Sequence, residues 1–356
     1  MSRLLSLSVL TSISPILVAC AATGTATGQV TSASGAAPSS FAPIVRRVSP
    51  AVVSIDTVRP GGDPVPWIQE TPQGTVAGLA TPVRMGAGSG FFITADGYVV
   101  TNNHVIDGAR EITVSMGDGR QFPARLVGRD APTDLAVLKV AASGVPFVSF
   151  SSAAQPDVGD WVVAVGNPFG LGGTATAGIV SAQGREIGEA HVGFLQIDAP
   201  INSGNSGGPS FDLQGHVVGV NTAIISPSGA FVGIGLAVPA DLANEITQEL
   251  IRSGRVVRGY LGVGVQGLTP ALAARMNLRG QRGAVISTVS PTGPAAGALR
   301  PGDVVVAVNG TEVEGAGTLT RAIASARPGT RLDLRVLRGG QTSDVTVVAA
   351  QRPDGT

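Results

Sequence analysis

Cysteine is almost missing from this 356-residue chain, and its single thiol, Cys20, leaves no intramolecular disulfide to form. The core must hold the fold by itself. Histidine is scarce as well, with only His104, His191 and His216, so scattered that no metal site is credible and no cofactor is expected. Charged residues supply 13% of the chain, against a usual share of about a quarter. They balance at 24 basic and 24 acidic, so no net field favours nucleic acid or an acidic membrane surface. A phosphate loop is excluded too. Gly86-Ala87-Gly88-Ser89-Gly90 lacks the lysine and precedes a strand instead of a helix, and it reads as the turn entering that strand.

What is abundant points to β structure. The chain is 43% hydrophobic and carries 50 glycines and 24 prolines, a mix suited to short strands joined by tight turns. Residues 1–20 read as an export signal, with Arg3 ahead of an apolar run from Leu4 to Ala19. Leu17-Val18-Ala19-Cys20 resembles the bacterial lipobox, which implies lipidation of Cys20 and a lipid anchor. The rival is ordinary cleavage at the Ala19-Cys20-Ala21 triplet, giving a soluble protein. Residues 21–40 are small and polar, the composition of a flexible tether.

From residue 41 to 257, short β-branched runs recur: Val52 to Val58, Gly90 to Thr94, Tyr98 to Asn102, Glu111 to Ser115, Leu135 to Val140, Trp161 to Val165, Gly178 to Ala182, Val217 to Thr222 and Gly233 to Val238. Strands at this spacing argue for antiparallel barrels or a sandwich. Ala95-Asp96-Gly97 predicts a hairpin, and Pro60 to Met85 reads as a Pro/Gly-rich insertion without period. A helix carrying Leu242, Ile246 and Leu250 on one face closes the block, with Gly254 beyond its end. Residues 258–352 form a second block with three further strands and an apolar-faced helix from Leu319 to Ala326.

Three segments carry chemistry. Ser206 lies in Gly204-Asn205-Ser206-Gly207-Gly208-Pro209, where glycines let backbone N–H groups approach a substrate oxygen. A serine needs a base, and His104 stands at a strand end in Thr101-Asn102-Asn103-His104. Asp134, opening Leu135 to Val140, can orient the imidazole and stabilise its cation. Each signal is weak singly. The order His, Asp, Ser on strand-rich sequence makes them a catalytic triad.

With these motifs the chain resembles the HtrA/Deg family of serine proteases over Phe41 to Ala350. The resemblance implies a mostly β fold: a chymotrypsin-like pair of six-stranded antiparallel barrels followed by a small α+β PDZ domain. It implies an oxyanion hole from the N–H groups of Gly204, Asn205 and Ser206. Asn205 stands where trypsin-like zymogens carry the aspartate that pairs with a new amino terminus, so activation is expected through loops 169–173, 184–193 and 225–231. Arg185 resembles the family's sensor arginine, with a solvated surface charge as the alternative. Pro200 occupies the position of the acid that selects basic side chains. Ile201, Asn221, Thr222, Ala223 and Ile224 are expected to shape a small apolar pocket and to pair with substrate backbone, giving cleavage after Val or Ala. Ser203 replaces a common proline.

The second block resembles a PDZ domain through Gly259 to Val263, Pro294-Ala295-Ala296 and Leu299 to Asp303. Tyr260, Leu261, Gly262 and Val263 are expected to receive a C-terminal carboxylate; a packing domain without ligand is the alternative. The resemblance further implies a homotrimer through Phe41 to Val48, a bacterial envelope or periplasmic location, unfolded polypeptide substrates and C-terminal peptide activators. A protein-binding chaperone or adaptor, and a regulatory protease reading one partner's C-terminus, are the rival functions.

Overall fold

Valine-rich runs broken by turn residues set the architecture. The computed structural model describes residues 38–62, 65–71, 74–80, 82–150, 155–168, 172–185, 192–202, 204–278 and 280–352. Cys20 with its leader, most of the tether, His191, Ser203 and the loop residues 169–171 and 186–191 lie outside the described residues.

A short helix α1 (Ala42–Val48) leads into β1 (Val52–Pro60). β2 (Val65–Thr71) and β3 (Gly74–Ala80) follow, paired as an antiparallel ribbon. The insertion expected to lack a period therefore holds a hairpin, in register from Val65 opposite Ala80 to Thr71 opposite Gly74. Next come β4 (Val83–Phe92), β5 (Tyr98–Asn102), the single turn α2 (Asn103–Ile106), β6 (Glu111–Met116), β7 (Gln121–Asp130) and β8 (Leu135–Val140). β1, β4, β5, β8, β7 and β6 close, in that order, into the first barrel.

The predicted hairpin pairs Phe92 with Val99, and Gly97 takes the left-handed φ of +99° its turn demands. Gly86 to Gly90 lie within β4, paired with β1, and do not form the expected turn. Glycine is used there because a side chain would collide: a Cβ at Gly88 would sit 2.7 Å from Val105, and one at Gly90 2.9 Å from the Val100 carbonyl.

The second barrel closes β10-β11-β14-β13-β12-β9, built from β9 (Trp161–Gly166), β10 (Thr174–Arg185), β11 (Phe194–Ile197), β12 (Pro209–Phe211), β13 (Val217–Ile224) and β14 (Gly235–Pro239). Helix α3 (Ala240–Ser253) then buries Ile246 and Leu250, and Gly254 caps it at φ +73° by donating to Leu250 O. One apolar cluster spans both barrels, joining Phe91, Val100, Leu135 and Val137 of the first to Val163, Phe211, Val220 and Val238 of the second. Removing this surface from water is the main force holding the barrels together.

The C-terminal block contains β15 (Gly259–Tyr260), β16 (Val263–Gly267), α4 (Pro270–Arg275), β17 (Ala284–Val289), β18 (Val304–Val308), β19 (Thr311–Glu312), α5 (Ala316–Ser325), β20 (Arg331–Arg338), β21 (Gln341–Val348) and β22 (Ala350–Gln351). Its main sheet runs β16-β17-β18-β20-β21 over its own core, including Leu261, Ile286, Leu319 and Val336. The Leu299 to Asp303 motif has a structural purpose. The buried Asp303 carboxylate caps the turn by accepting from Arg300 N–H at 2.9 Å, and the Arg338 guanidinium forks onto it at 2.7 and 2.8 Å. Burial acts to raise the Asp303 pKa, but the Arg338 and Arg300 donors outweigh it and hold the carboxyl below its ordinary value.

Candidate active site

Asp134 ends the turn between β7 and β8 with φ +55°, a left-handed conformation that aspartate tolerates better than most residues. The conformation lets its backbone face β5. Its carbonyl accepts from Asn103 N–H at 3.0 Å and from Asn102 Nδ2 at 2.9 Å. Asp134 and the histidine turn are thereby tied at the backbone. Ahead of it, the buried Asp130 carboxylate accepts from Thr133 N–H at 3.1 Å and from both terminal nitrogens of Arg258.

His104 sits on α2, whose next residues, Val105 and Ile106, are buried in the first barrel and leave the imidazole facing outward. Its Nδ1 lies 2.6 Å from Asp134 Oδ2, and its backbone N–H donates to Asp134 Oδ1 at 2.9 Å. The aspartate thus grips ring and main chain together, leaving Nε2 as the position for a base. A third donor reaches the carboxylate from the other barrel, because Thr222 Oγ1 donates to Asp134 Oδ2.

The Ser206 loop is held mainly through its backbone. Gly207 N–H donates to Asn221 O at 2.8 Å, and Asn221 N–H returns a bond to Gly208 O at 2.9 Å. From the first barrel, Ser89 N–H donates to Ser206 O at 2.9 Å. Gly207 takes φ +82°, and a Cβ there would stand 2.3 Å from Ser89 O and 3.0 Å from Asn102 N, so only glycine brings the Ser206 loop against the strand end before His104. Ser206 itself is half-buried at this seam. Among the described residues no hydrogen bond runs from Ser206 Oγ to His104, a contact that commonly tightens only when substrate is bound.

Two expectations need correcting. Asn205 N–H, placed in the oxyanion hole with those of Gly204 and Ser206, donates to Asn202 O at 3.0 Å and is spent inside the turn. Its side chain is buried as well and donates from Nδ2 to Pro200 O at 3.3 Å. Asn221, expected to pair with substrate backbone, has its N–H and carbonyl committed to Gly208 and Gly207. Its side-chain oxygen accepts from Ser210 at 2.7 Å. Thr222 positions Asp134, as described above. From Thr222 to Ile224 β13 pairs only with β14, since β12 reaches no further than Val220, so the opposite edge of this stretch is open. Ile201 is buried against Gly235, where a Cβ would lie 3.0 Å from the isoleucine, and packs into the core of the second barrel.

Sequence reasoning missed Ser89, Arg59 and Asn102. Arg59 on β1 donates through Nη2 to the carbonyls of His104 (3.1 Å) and Val105 (2.5 Å), closing the end of the histidine turn. Only the unusual glycine run around Ser89 could have pointed to close backbone approach. Arg185, at the exposed end of β10, donates from Nε to Gln196 at 2.9 Å. In the C-terminal block, Tyr260 to Val263 lead into β16, the sheet's edge strand, with α5 packed against β15 and β16. Gly262 takes φ +74°, while the carbonyls of Leu261 and Gly262 accept from Ala295 (2.9 Å) and Ser290 (2.7 Å).

Residues 88–220 match the model of the trypsin-like peptidase domain, and residues 259–348 match that of the PDZ domain. Fold and site together define a trypsin-like peptidase architecture followed by a PDZ domain. A probable periplasmic serine endoprotease, DegP-like, of Brucella suis biovar 1 (strain 1330) is 48% identical over 281 residues, 78% of this chain and 54% of that protein. The corresponding protein of Bartonella henselae is 43% identical over 345 residues, 88% of this chain and 68% of the relative. The solved structure of the HtrA-type protease AlgW with decapeptide superposes with a TM-score of 0.74 at 39% identity, covering 88% of this chain and 99% of that one. The chain belongs to the family of HtrA-type, DegP-like serine endoproteases. It spans about half (54%) of the Brucella relative's length.

Proposed function

We propose that the chain is a serine endopeptidase of the bacterial envelope that cleaves unfolded or damaged polypeptides and is regulated by C-terminal peptides at its PDZ domain. The observation that carries the reading is the His104–Asp134 pair, gripped at 2.6 and 2.9 Å, facing the backbone-held Ser206 loop across the barrel seam. His104 Nε2 takes the proton of Ser206 Oγ as the oxygen attacks the scissile carbonyl, and Asp134 stabilises the imidazolium. The N–H groups of Gly204 and Ser206 receive the developing oxyanion. The proton then passes to the leaving amine, and water, deprotonated by His104, attacks the acyl-enzyme carbonyl so that the Ser206 Oγ–acyl bond breaks, Ser206 takes the proton back and the product acid leaves.

Substrate adds as a strand along Thr222 to Ile224, and an apolar pocket shaped by Ile201, with Pro200 where an acid would select basic residues, favours Val or Ala at the cleavage site. A C-terminal peptide adds to the free edge of β16, capped by Tyr260 to Val263. The related AlgW structures hold a decapeptide and a tripeptide. Arg185 is the residue through which peptide occupancy is relayed. The relatives' designation as periplasmic supports the location, Cys20 is the lipidated residue, and a homotrimer forms through Phe41 to Val48.

Ser206→Ala is the test. The purified variant should fold and bind unfolded casein yet lose its degradation, dropping to a residual of about 10³ to 10⁴ over water. Retained proteolysis would sink the assignment, and a chaperone or adaptor function would survive it.

A further inference from the structure

Ser89 is fully buried on β4 of the first barrel, yet most of its hydrogen bonds leave that barrel. Its N–H donates to Ser206 O at 2.9 Å, its hydroxyl donates to Gly204 O, and that hydroxyl accepts from Asn167 N–H at 2.8 Å. Its carbonyl accepts from Thr101 Oγ1 at 2.7 Å. A serine hydroxyl has one proton to give. Asn167 N–H can only donate and Gly204 O can only accept, so the hydroxyl proton has a single direction that satisfies both.

The peptide plane between Gly204 and Asn205 is consequently pinned at both ends, its carbonyl by Ser89 and its N–H by Asn202 O at 3.0 Å. That plane lies between the N–H groups of Gly204 and Ser206, and its orientation sets whether the two converge on one point. Space for the arrangement is cleared by glycine. A Cβ at Gly166 would stand 3.0 Å from Ser89 Oγ, one at Gly208 3.2 Å from Ser89 Cβ, and one at Gly207 2.3 Å from Ser89 O.

We infer that the Ser89 hydroxyl is a positioning residue for the oxyanion hole: it holds the Gly204–Asn205 peptide in the converging orientation and couples it to the segment that follows β9 at Asn167. The inference rests on Ser206 being the nucleophile. Ser89→Ala removes the hydroxyl and keeps the N–H bond to Ser206. Removing one oxyanion donor outright costs about 10² to 10³ in kcat; disordering the pair through a neighbour is expected to lower kcat about 10- to 100-fold on a peptide anilide ending in Val, with KM within about 3-fold. A peptide aldehyde ending in valinal, whose adduct with Ser206 places an oxyanion in the hole, should lose affinity by the same factor. Binding of the uncleaved peptide, measured in the Ser206→Ala background with and without Ser89→Ala, should stay level.

A purely structural serine would instead lower thermal stability and leave kcat per titrated active site alone; that result overturns the inference. So does an aldehyde affinity that fails to follow kcat, or a KM that rises while kcat holds. If Ser89→Ala does not fold, Ser89→Cys, with a weaker donor in a similar volume, gives the same readouts. Wild-type kcat in Ser89→Ala beside a dead Ser206→Ala refutes the role of Ser89 alone, whereas an active Ser206→Ala refutes the function beneath it.

Discussion

Replacing Thr222 by valine keeps the side chain's shape and removes one proton donor. Asp134 receives three donors: His104 N–H at 2.9 Å, His104 Nδ1 at 2.6 Å and the Thr222 hydroxyl. A hydrogen bond to a charged group contributes about 1.5 to 3 kcal/mol net. The Asp134 side chain is 25% exposed, so water can replace part of what valine removes, which points to the lower half of that range. At about 1.4 kcal/mol per tenfold, kcat should fall about 10- to 50-fold. KM should hardly move, because the bond steadies the carboxylate that faces the imidazolium of the transition state and touches no substrate. Thr222→Ser keeps the hydroxyl and should stay within about 3-fold of wild type. The assay is steady-state cleavage of a peptide anilide, normalised by titrating active sites with a fluorophosphonate. Full kcat in folded Thr222→Val, or equal losses in the valine and serine variants, would refute the reasoning.

Arg59→Ala leaves the carbonyls of His104 and Val105 without their donor; kcat should drop about 5- to 20-fold, consistent with a loss of about 1 to 2 kcal/mol, and Arg59→Lys should recover part of it. Asp303→Asn breaks a buried fork and should destabilise the C-terminal block by about 2 to 4 kcal/mol, read as lost hydrogen-exchange protection over 331–348. In the wild type the Asp303 carboxyl titrates below its ordinary 3.8, so its stabilisation is complete above about that pH and is lost as pH falls through the lower folded value. Protection there should persist at pH 5, begin to weaken only below about pH 4 and be lost at still lower pH; loss already at pH 5 would contradict the assignment.

The three candidate segments were legible because each carries local demands that show in the residues: glycines around Ser206, a polar turn before Asp134, and a strand end before His104. Strands buried on both faces, such as β5 and β8, were legible for the same reason. β7 escaped because half of its residues are exposed, few are buried and it contains Pro123, and β11 and β12 because four and three residues are too few to show a period. The glycine run in β4 looked like a turn because nothing local reveals that Val105 and Val100 crowd its Cβ positions. The bonds from Thr222 to Asp134 and from Ser89 to Gly204 span 88 and 115 residues of chain, and no local pattern carries such information.

The two barrels meet through apolar surface, which is favourable but has no preferred direction. Valine against phenylalanine resists separation far more than it resists a small slide, yet a slide of 1 Å is enough to cost about 100-fold in rate at a site split between the barrels. Direction comes from the polar groups buried at the seam. Four bonds cross it: from the fully buried Ser89, its N–H to Ser206 O and its hydroxyl to Gly204 O, with Asn167 N–H donating back to that hydroxyl, and, from the second barrel, Thr222 Oγ1 to Asp134. Each bond adds only about 1 kcal/mol net to stability, little against the shared core, but leaving one unmade costs more, so sliding the barrels out of the register that makes these four bonds is penalised. The seam's polar groups therefore act mainly on catalytic geometry, and trimming them should loosen catalysis before it unfolds the chain.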